Sequence, residues 1–538
     1  MTMSDTVDSS PTSLDQHRGG ASAGAQEFLL RRHLGFWSLT AIGFSNIVGS
    51  GWLFAAMYSA KIAGPASLLS WIGAGLLCAL VAMVMVELGV TRPEDGGTVR
   101  WPLYASGRLV GSLVGWSTLL SVGGTAAEIS AILGYGAHYL PWLYSGDRLT
   151  VPGVAVGMLF AALLTSVNWF AVKVFARFNN LITVVKVAVP IVTVILLLIS
   201  GFHSGRMTSH GGFAPYGYTA CFTALATGGI VYSVNGFQAA VDFSGEAKDP
   251  RRTIPAAVIA AIVLAVGLYA ALQLTFLFTV PDSFLGHGWS GVNFTSPFGQ
   301  LALVMNLQWV SMLLYADAVL SPGASANVGV GLNARHTYAL GKSGILPRFF
   351  MAVHAKSGIP RRALVLNLGI IVLFLLPFGG WQGIVAVMGD MYLITYLTSA
   401  VAAAIFRRTD NNMVPAWSRG MPWIAPASFV AAGEFVYWSG WDQLRLVIPL
   451  ILIGVAVFAI MSRGRSLRAE LLKGSWLVTY LVALLILSRL GSFGGTSALP
   501  APLDSCLVAA LSLAIFRWAL RSGIAHVRTA PADECGIC

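Results

Sequence analysis

The chain has 538 residues, with 33 Lys and Arg against 22 Asp and Glu, for a net charge of +11. Apolar residues (AVILMFWYC) make up 56%, charged residues only 10%, and the mean hydropathy is +0.74; soluble domains carry about 25% charged residues. One bilayer crossing takes about 20 apolar residues, so this composition describes a polytopic membrane protein and excludes a soluble enzyme, a disordered chain and a single-anchor receptor.

Residues 1–34 are polar and end in Arg31, Arg32 and His33. With no apolar run before them they read as a cytoplasmic tail rather than a cleaved signal. Fourteen apolar runs follow, near 35–60, 66–90, 110–143, 151–172, 176–202, 216–241, 254–280, 309–337, 363–379, 382–405, 423–441, 445–462, 474–490 and 502–520. The third is too long for a perpendicular crossing and predicts a tilted span. The expected organisation is a ten-span core over 35–405, four appended spans over 423–520, and a cytoplasmic tail over 521–538. That tail carries Cys535 and Cys538, read as an exposed end and not as a lipid anchor.

Charge placement tests this topology. With the N-terminus inside, 27 of the 33 Lys and Arg fall on inner segments, among them Arg92, Arg108, Arg251, Arg252, Arg335, Arg361, Arg407 and Arg517. Lys61, Arg148, Arg206, Arg445 and Arg489 fall outside, and Lys186 lies within a span. This bias is the positive-inside pattern of a cell-membrane protein with both termini cytoplasmic. The basic charge therefore marks inner loops, and no nucleic-acid partner is expected.

Two spans read as broken. The first contains Ile47, Val48, Gly49, Ser50 and Gly51; the sixth contains Ser233, Val234, Asn235, Gly236 and Phe237. They stand five spans apart, an odd number, which places two five-span units (35–202 and 216–405) in opposite orientation. That is the inverted-repeat logic of secondary transporters. A half-helix that starts inside the bilayer presents unpaired N–H groups and a positive dipole end, which suit a carboxylate. Ser50 and Gly51 are the candidates for this role. Carbonyls freed at the breaks, those of Ile47, Tyr232 and Asn235, suit an ammonium group. Together these describe a site for an α-amino acid.

The motifs around the breaks carry a more specific signal. The stretch Gly43 to Trp52 (GFSNIVGSGW) resembles the first-span signature of the amino acid–polyamine–organocation superfamily. Glu87 to Gly97 (ELGVTRPEDGG) is similar to that family's second-span exit, and Gly245 to Pro255 (GEAKDPRRTIP) to its sixth-to-seventh loop. Leu320 to Gly323 (LSPG), Gly344 to Pro347 (GILP), Phe435 to Trp441 (FVYWSGW) and Gly491 to Gly494 (GSFG) resemble the bacterial aspartate–proton symporter branch. The resemblance implies an all-α, leucine-transporter-like core of five plus five helices with about four appended. It implies substrate carboxylate binding at Ser50 and Gly51, amino-group binding at the carbonyls of Ile47, Tyr232 and Asn235, and a Tyr232 ring gating the substrate. It also implies alternating access, with spans one, two, six and seven rocking against three, four, eight and nine. Two residues depart from the family pattern: Gln238 stands where many members have Glu, and Asn235 is polar where an apolar residue is usual.

Ionisable groups inside spans cost about 2.5–3.5 kcal/mol on insertion scales, which makes each a functional candidate. Lys186 lies about ten residues into the fifth span, too deep for easy snorkelling. In family members with a Lys at this position, its ammonium resembles the sodium ion of sodium-coupled relatives, which makes Lys186 the expected proton-coupling residue. Glu128, mid-way along the third span, is a second candidate for proton coupling or substrate contact. Asp317 and Asp390 are weaker ones; Asp317 precedes Ser321 and Pro322, where a distortion is expected. Glu87 reads as structural. The 9 His and 5 Cys show no metal-ligand spacing, and no nucleophile motif or phosphate loop is present, so neither cofactor, metal nor enzyme is expected. The expected function is proton-coupled amino acid symport, an acidic amino acid such as aspartate first. An exchanger, a neutral amino acid permease and an amino-acid-sensing transceptor are the alternatives.

Overall fold

The protein is described by a computed structural model, which covers residues 34–92, 97–170, 172–242, 247–354, 359–376, 380–409, 419–462 and 467–529. The N-terminal tail up to His33, Cys535 and Cys538, and part of the two loop motifs near 93–96 and 243–246 lie outside the described residues.

The first predicted span is two helices, α1 (Phe36–Ile47) and α2 (Gly51–Ala63), separated at Val48 to Ser50. A short turn at Gly64 to Ala66 leads into α3 (Ser67–Thr91). After a short helix, α4 (Gly97–Ser106), the long third run holds α5 (Arg108–Leu120) and α6 (Gly123–Gly136), joined at Ser121 and Val122 into one candidate crossing of 29 residues. Next come α7 (Val151–Phe170) and α8 (Val172–Gly201). The sixth run is three pieces, α9 (Thr219–Thr227), α10 (Ile230–Val234) and α11 (Gln238–Asp242). Then follow α12 (Pro250–Thr279), the short α13 (Pro297–Val304), α14 (Gln308–Lys342), α15 (Arg361–Leu375) and α16 (Trp381–Thr409). The last four runs are α17 (Met421–Trp438), α18 (Trp441–Met461), α19 (Leu467–Leu490) and α20 (Leu503–Thr529).

Each predicted run thus falls on a helix or a group of helices. Two details differ. Helix α14 continues through Pro322 without interruption, where a distortion was expected, and the Ser321 hydroxyl donates to Asp317 Oδ1 (2.7 Å) one turn back. Helix α20 runs nine residues beyond the predicted end at 520, so the start of the expected tail is helical. Among the described residues nine helices are long and apolar enough to cross a membrane, or ten if the pair Thr219–Thr227 and Ile230–Val241, bent by 57°, is one span. One of the nine joins α2 and α3 over 41 residues; at 1.5 Å per residue that is about 60 Å, twice the hydrocarbon thickness, enough for α3 to span and α2 to form the second half of a first span. The remaining predicted spans fall on helices that are short (α1, α15) or more polar (α14, α17). The architecture is all-α and multi-pass, with a two-residue β-hairpin between α6 and α7.

Packing sorts the helices into groups. Helices α1 and α3 lie against α12, and α11 against α1. Separately, α6 lies against α14 and α7 against α15. Helix α16 is enclosed, with 94% of its most apolar window buried against 28% for Ile182–Gly201 of α8. Helices α17 and α20 pack against α16, as do α3, α4, α5 and α6, so it is surrounded by other helices. The appended helices therefore clothe the core. Ser439 donates to Asp390 Oδ1 (2.7 Å) across that junction, and Trp116 Nε1 donates to the Leu450 carbonyl (2.9 Å).

Candidate functional site

The two broken spans meet. Asn46, in the last turn of α1, donates through Nδ2 to the Gly236 carbonyl (2.9 Å). At the first break the chain leaves helical geometry at Val48 (ψ 91°) and re-enters with Ser50 as the N-cap of α2. The sixth span breaks twice: at Gly228 and Gly229, which the sequence reading did not single out, and at Asn235 to Phe237, which it did. A cavity of about 210 Å³ lies between these breaks and the α5–α6, α14 and α16 helices; Gly49, Glu128, Tyr232, Asn235, Gln238 and Tyr396 are among the residues on its wall. It extends as far as Thr98 and His336. His336 lies eleven residues beyond Ser325 on α14, about 16 Å along a helix, so it belongs to the mouth of the cavity and not to the breaks.

The N-terminus of α2 is already occupied by a carboxyl group, supplied by the protein. Glu128 Oε2 accepts from the Ser50 backbone N–H (2.9 Å) and Oε1 accepts from the Tyr232 hydroxyl (2.8 Å). Glu128 is 5% exposed. A buried carboxylate needs such charge-assisted donors, and a helix start offers them. Glu128 thereby bridges the first and sixth spans.

Each predicted site residue can now be placed. The Ser50 hydroxyl accepts from Trp381 Nε1 (2.8 Å) and also lies within hydrogen-bonding reach of the Glu128 carboxyl and the Tyr232 hydroxyl, so Ser50 ties Trp381 to the site as well as presenting its N–H to Glu128. Gly51 lines the cavity, yet a Cβ there would lie 2.1 Å from Ser233 Oγ and 3.1 Å from the Ser233 Cα. Its missing side chain lets α2 and α10 approach. The Ile47 carbonyl accepts from the Tyr269 hydroxyl (3.1 Å) and from the Gly49 N–H (3.0 Å), so both of its lone pairs are in use; the Tyr232 carbonyl accepts from the Asn235 N–H (3.2 Å). Gln238 folds back on the second break: Oε1 accepts from the Gly236 N–H (2.9 Å), and Nε2 donates to Asn235 Oδ1 (2.7 Å) and Tyr396 (2.5 Å). Tyr396 also donates to Asn235 Oδ1.

The ionisable candidates divide. Lys186 is 5% exposed and donates to the Ser45 carbonyl (3.3 Å) and Ser325 Oγ (2.7 Å), joining α8 to the broken end of α1 and to α14. The charges acting on it are those of Glu128 and Asp317. Asp317 and Asp390 are buried, do not line the cavity, and have one carboxylate oxygen each without a hydrogen-bond partner. Glu87 forms an ion pair with Arg407 (2.9 Å) between the ends of α3 and α16, a structural link. Among the described residues no group of three His, Cys, Asp or Glu could hold a metal ion.

The comparisons with known proteins now have a site to refer to. The family model described as amino acid permease matches residues 34–488. This chain belongs to that family. It is 34% identical to the glutamate/serine transporter AimA of Bacillus subtilis (strain 168), over 92% of this chain and 94% of that protein. It is 33% identical to the aspartate–proton symporter of the same organism, over 92% and 97%. A methylthioribose transporter, also from that organism, is 26% identical over 83% and 96%. The chain is therefore a multi-pass amino acid permease and not an enzyme.

The close approach at Gly51 makes a testable statement about this permease. Even Gly51→Ala must push α2 from α10, at an overpacking cost of about 1–3 kcal/mol. Transport is expected to fall at least tenfold and the melting temperature to drop. Adding Ser233→Gly removes the two nearest atoms and is expected to recover much of both. Thermal melts and uptake on the four variants measure this; a Gly51→Ala protein of unchanged activity would show that the close contact is not required.

Proposed function

We propose that this permease is a proton-coupled amino acid symporter of the cell membrane, with both termini cytoplasmic, and that its cavity between the broken helices is the substrate site. The observation that carries the proposal is the carboxylate of Glu128 on the Ser50 N–H. A substrate carboxylate needs that same helix start, and two anions do not share it. Substrate therefore binds when Glu128 takes a proton and lets go, and the substrate carboxylate becomes the anion facing the Lys186 ammonium. One proton and one amino acid then occupy the site together. Lys186, tied to α1 and α14, links the charge of the site to the position of the broken helix. The two packing groups, α1, α3 and α12 against α6, α7, α14 and α15, are the units that would rock in alternating access, as two inverted five-span halves. Asp317 contributes field at Lys186; Asp390 faces the appended helices and takes no part in binding.

Acidic amino acids are the first substrate class, with a small polar one such as serine second. The cavity wall opposite the cradle supports both: it is polar and uncharged, made by Asn235, Gln238, Tyr396, Tyr392 and Thr395. The relatives named for aspartate and for glutamate and serine agree with this choice. Uptake of a panel of labelled amino acids by proteoliposomes, with and without an imposed pH gradient, tests the whole reading; accumulation that ignores the gradient would reject symport in favour of exchange.

Selectivity is expected to sit at Asn235 and Gln238. Gln238→Glu keeps the acceptor for the Gly236 N–H and adds a carboxylate beside the substrate side chain. Like charges in contact cost several kcal/mol, so aspartate should lose at least tenfold in competition while serine changes little. Replacing Asn235 by Val should also reorder the substrates. A ranking unaltered in both variants would remove this wall from the site.

A further inference from the structure

We propose that Trp381 is the outer gate of this transporter, and that its indole N–H, bonded to the Ser50 hydroxyl, holds the first break shut on the side away from the cavity. Trp381 opens α16 and is 331 positions from Ser50, yet it touches both broken spans. At the first, Nε1 donates to Ser50 Oγ (2.8 Å). At the sixth, its six-membered ring fills the place where a Cβ of Gly229 would lie, 2.5 Å away; Gly229 has φ +87°, a conformation that favours glycine. The ring stacks on Phe54 (5.3 Å between centroids) and Tyr58 (5.7 Å) of α2 and stands edge-on to Tyr232 (6.4 Å). Tyr135 of α6 packs edge-on against Phe54 (5.3 Å). None of Phe54, Tyr58, Tyr135 or Trp381 lines the cavity.

The directions follow from the chain. Phe54 and Tyr58 lie on α2 beyond the break, Tyr135 lies at the end of α6, and Trp381 at the start of α16. The cavity continues the other way, toward Thr98 and His336, at the ends of elements that carry Arg100, Arg108 and Arg335. With those arginines inside, the aromatic layer is the closed outer door and the cavity is the inward path. To open outward, the layer must part from both breaks. Most of it is ring contact, which is worth about 0.5–1.5 kcal/mol per pair and slides easily. Its directional elements are a long bond from the Tyr135 hydroxyl to the Leu53 carbonyl (3.4 Å) and the shorter Trp381–Ser50 bond, the latter made to the residue whose own N–H holds Glu128. The gate is therefore wired to the anion position of the site.

The inference rests on reading the cavity as the substrate site, but its test needs no substrate. Thr125 lines the cavity, is 3% exposed, and its hydroxyl has no hydrogen-bond partner, so Thr125→Cys gives a reporter inside the site at no cost in hydrogen bonds. It is placed in a chain whose five native cysteines are replaced and labelled with a membrane-impermeant maleimide from one side at a time. Trp381→Phe keeps a stacked ring and removes the N–H. Labelling from outside is expected to rise about fivefold or more over the parent, with labelling from inside reduced. Ser50→Ala removes the acceptor, together with the hydroxyl's reach to Glu128 and Tyr232, and should do at least as much; the double variant should add nothing beyond Ser50→Ala, since both remove the Trp381–Ser50 bond. If Trp381→Phe does not fold, Ser50→Ala decides alone, because it leaves every ring in place. Unchanged outside labelling in the variants that fold, or additive effects in the double variant, would overturn the gate. Shifted labelling in a protein that binds no amino acid would leave the gate standing and reject the substrate reading instead.

Discussion

Substituting Glu128 by Gln is expected to make substrate binding independent of pH and to abolish accumulation driven by a proton gradient, while exchange across the membrane continues. Glu128 holds the Ser50 N–H and the Tyr232 hydroxyl only as an acceptor, and its anionic form competes with the substrate carboxylate. The sign follows. Lowering the pH protonates Glu128, frees the helix start, and tightens binding of a substrate that stays anionic at its α-carboxylate. In the range where Glu128 is ionised, the apparent Kd should rise up to about tenfold per pH unit, the limit for one linked proton. The amide of Gln has no charge at any pH and is the weaker acceptor, so the variant should bind as the protonated wild type does, flat across pH. Binding by calorimetry or scintillation proximity between pH 5 and 8, with counterflow in proteoliposomes, gives both readouts. A Glu128→Gln protein that keeps the pH slope, or still concentrates substrate with the gradient, would remove Glu128 from the coupling scheme.

The second large effect is at Lys186. Its two bonds, to the Ser45 carbonyl and Ser325 Oγ, are the polar link between α8, the broken end of α1 and α14. Hydrogen bonds to a charged group contribute about 1.5–3 kcal/mol, which is a tenfold to hundredfold change in the balance of two conformations. Lys186→Ala is expected to lose proton-driven accumulation outright. Binding should survive within a few-fold, because the anion position uses the Ser50 N–H and Tyr232. Sodium should not drive uptake by the wild type, since the ammonium already takes the oxygens a cation would use. Uptake under an imposed pH gradient, with sodium replaced by choline, checks both statements. Accumulation by Lys186→Ala, or wild-type uptake that demands sodium, would exclude this role. The two variants separate the functions: Glu128→Gln flattens the pH dependence of binding, and Lys186→Ala leaves it intact.

How legible these elements were differs by kind. Membrane spans come from long apolar runs, which depend on composition alone, so the fourteen runs met helices or groups of helices, with ends that differ by up to nine residues. The break at Gly49 to Gly51 and the break at Asn235 to Phe237 were readable for the same local reason: glycine and polar residues interrupt an apolar helix. The second break of the sixth span, at Gly228 and Gly229, carried the same signal and was passed over, because glycines are common in membrane helices as packing residues. Lys186 and Glu128 were conspicuous because a lone charge in an apolar run has no neutral explanation.

What each of those residues touches was beyond the reach of the sequence. That the Ser50 hydroxyl meets the Trp381 indole depends on a residue 331 positions away. That Glu128 occupies the start of α2 depends on how α6 lies across the first break, 78 positions along the chain. Gly51 was read as a candidate for the substrate carboxylate; it lines the cavity, and its missing side chain also makes room for Ser233. Gln238 was read as a departure from the family pattern, and it holds the Gly236 N–H and the Asn235–Tyr396 pair. Apolar patterning, broken helices and buried charges are properties of a segment and its solvent, so the sequence by itself determined the membrane class, the helices and the residues worth watching. Hydrogen-bond partners are chosen by which faces of distant helices come within 3 Å of each other, and only the tertiary structure decided those.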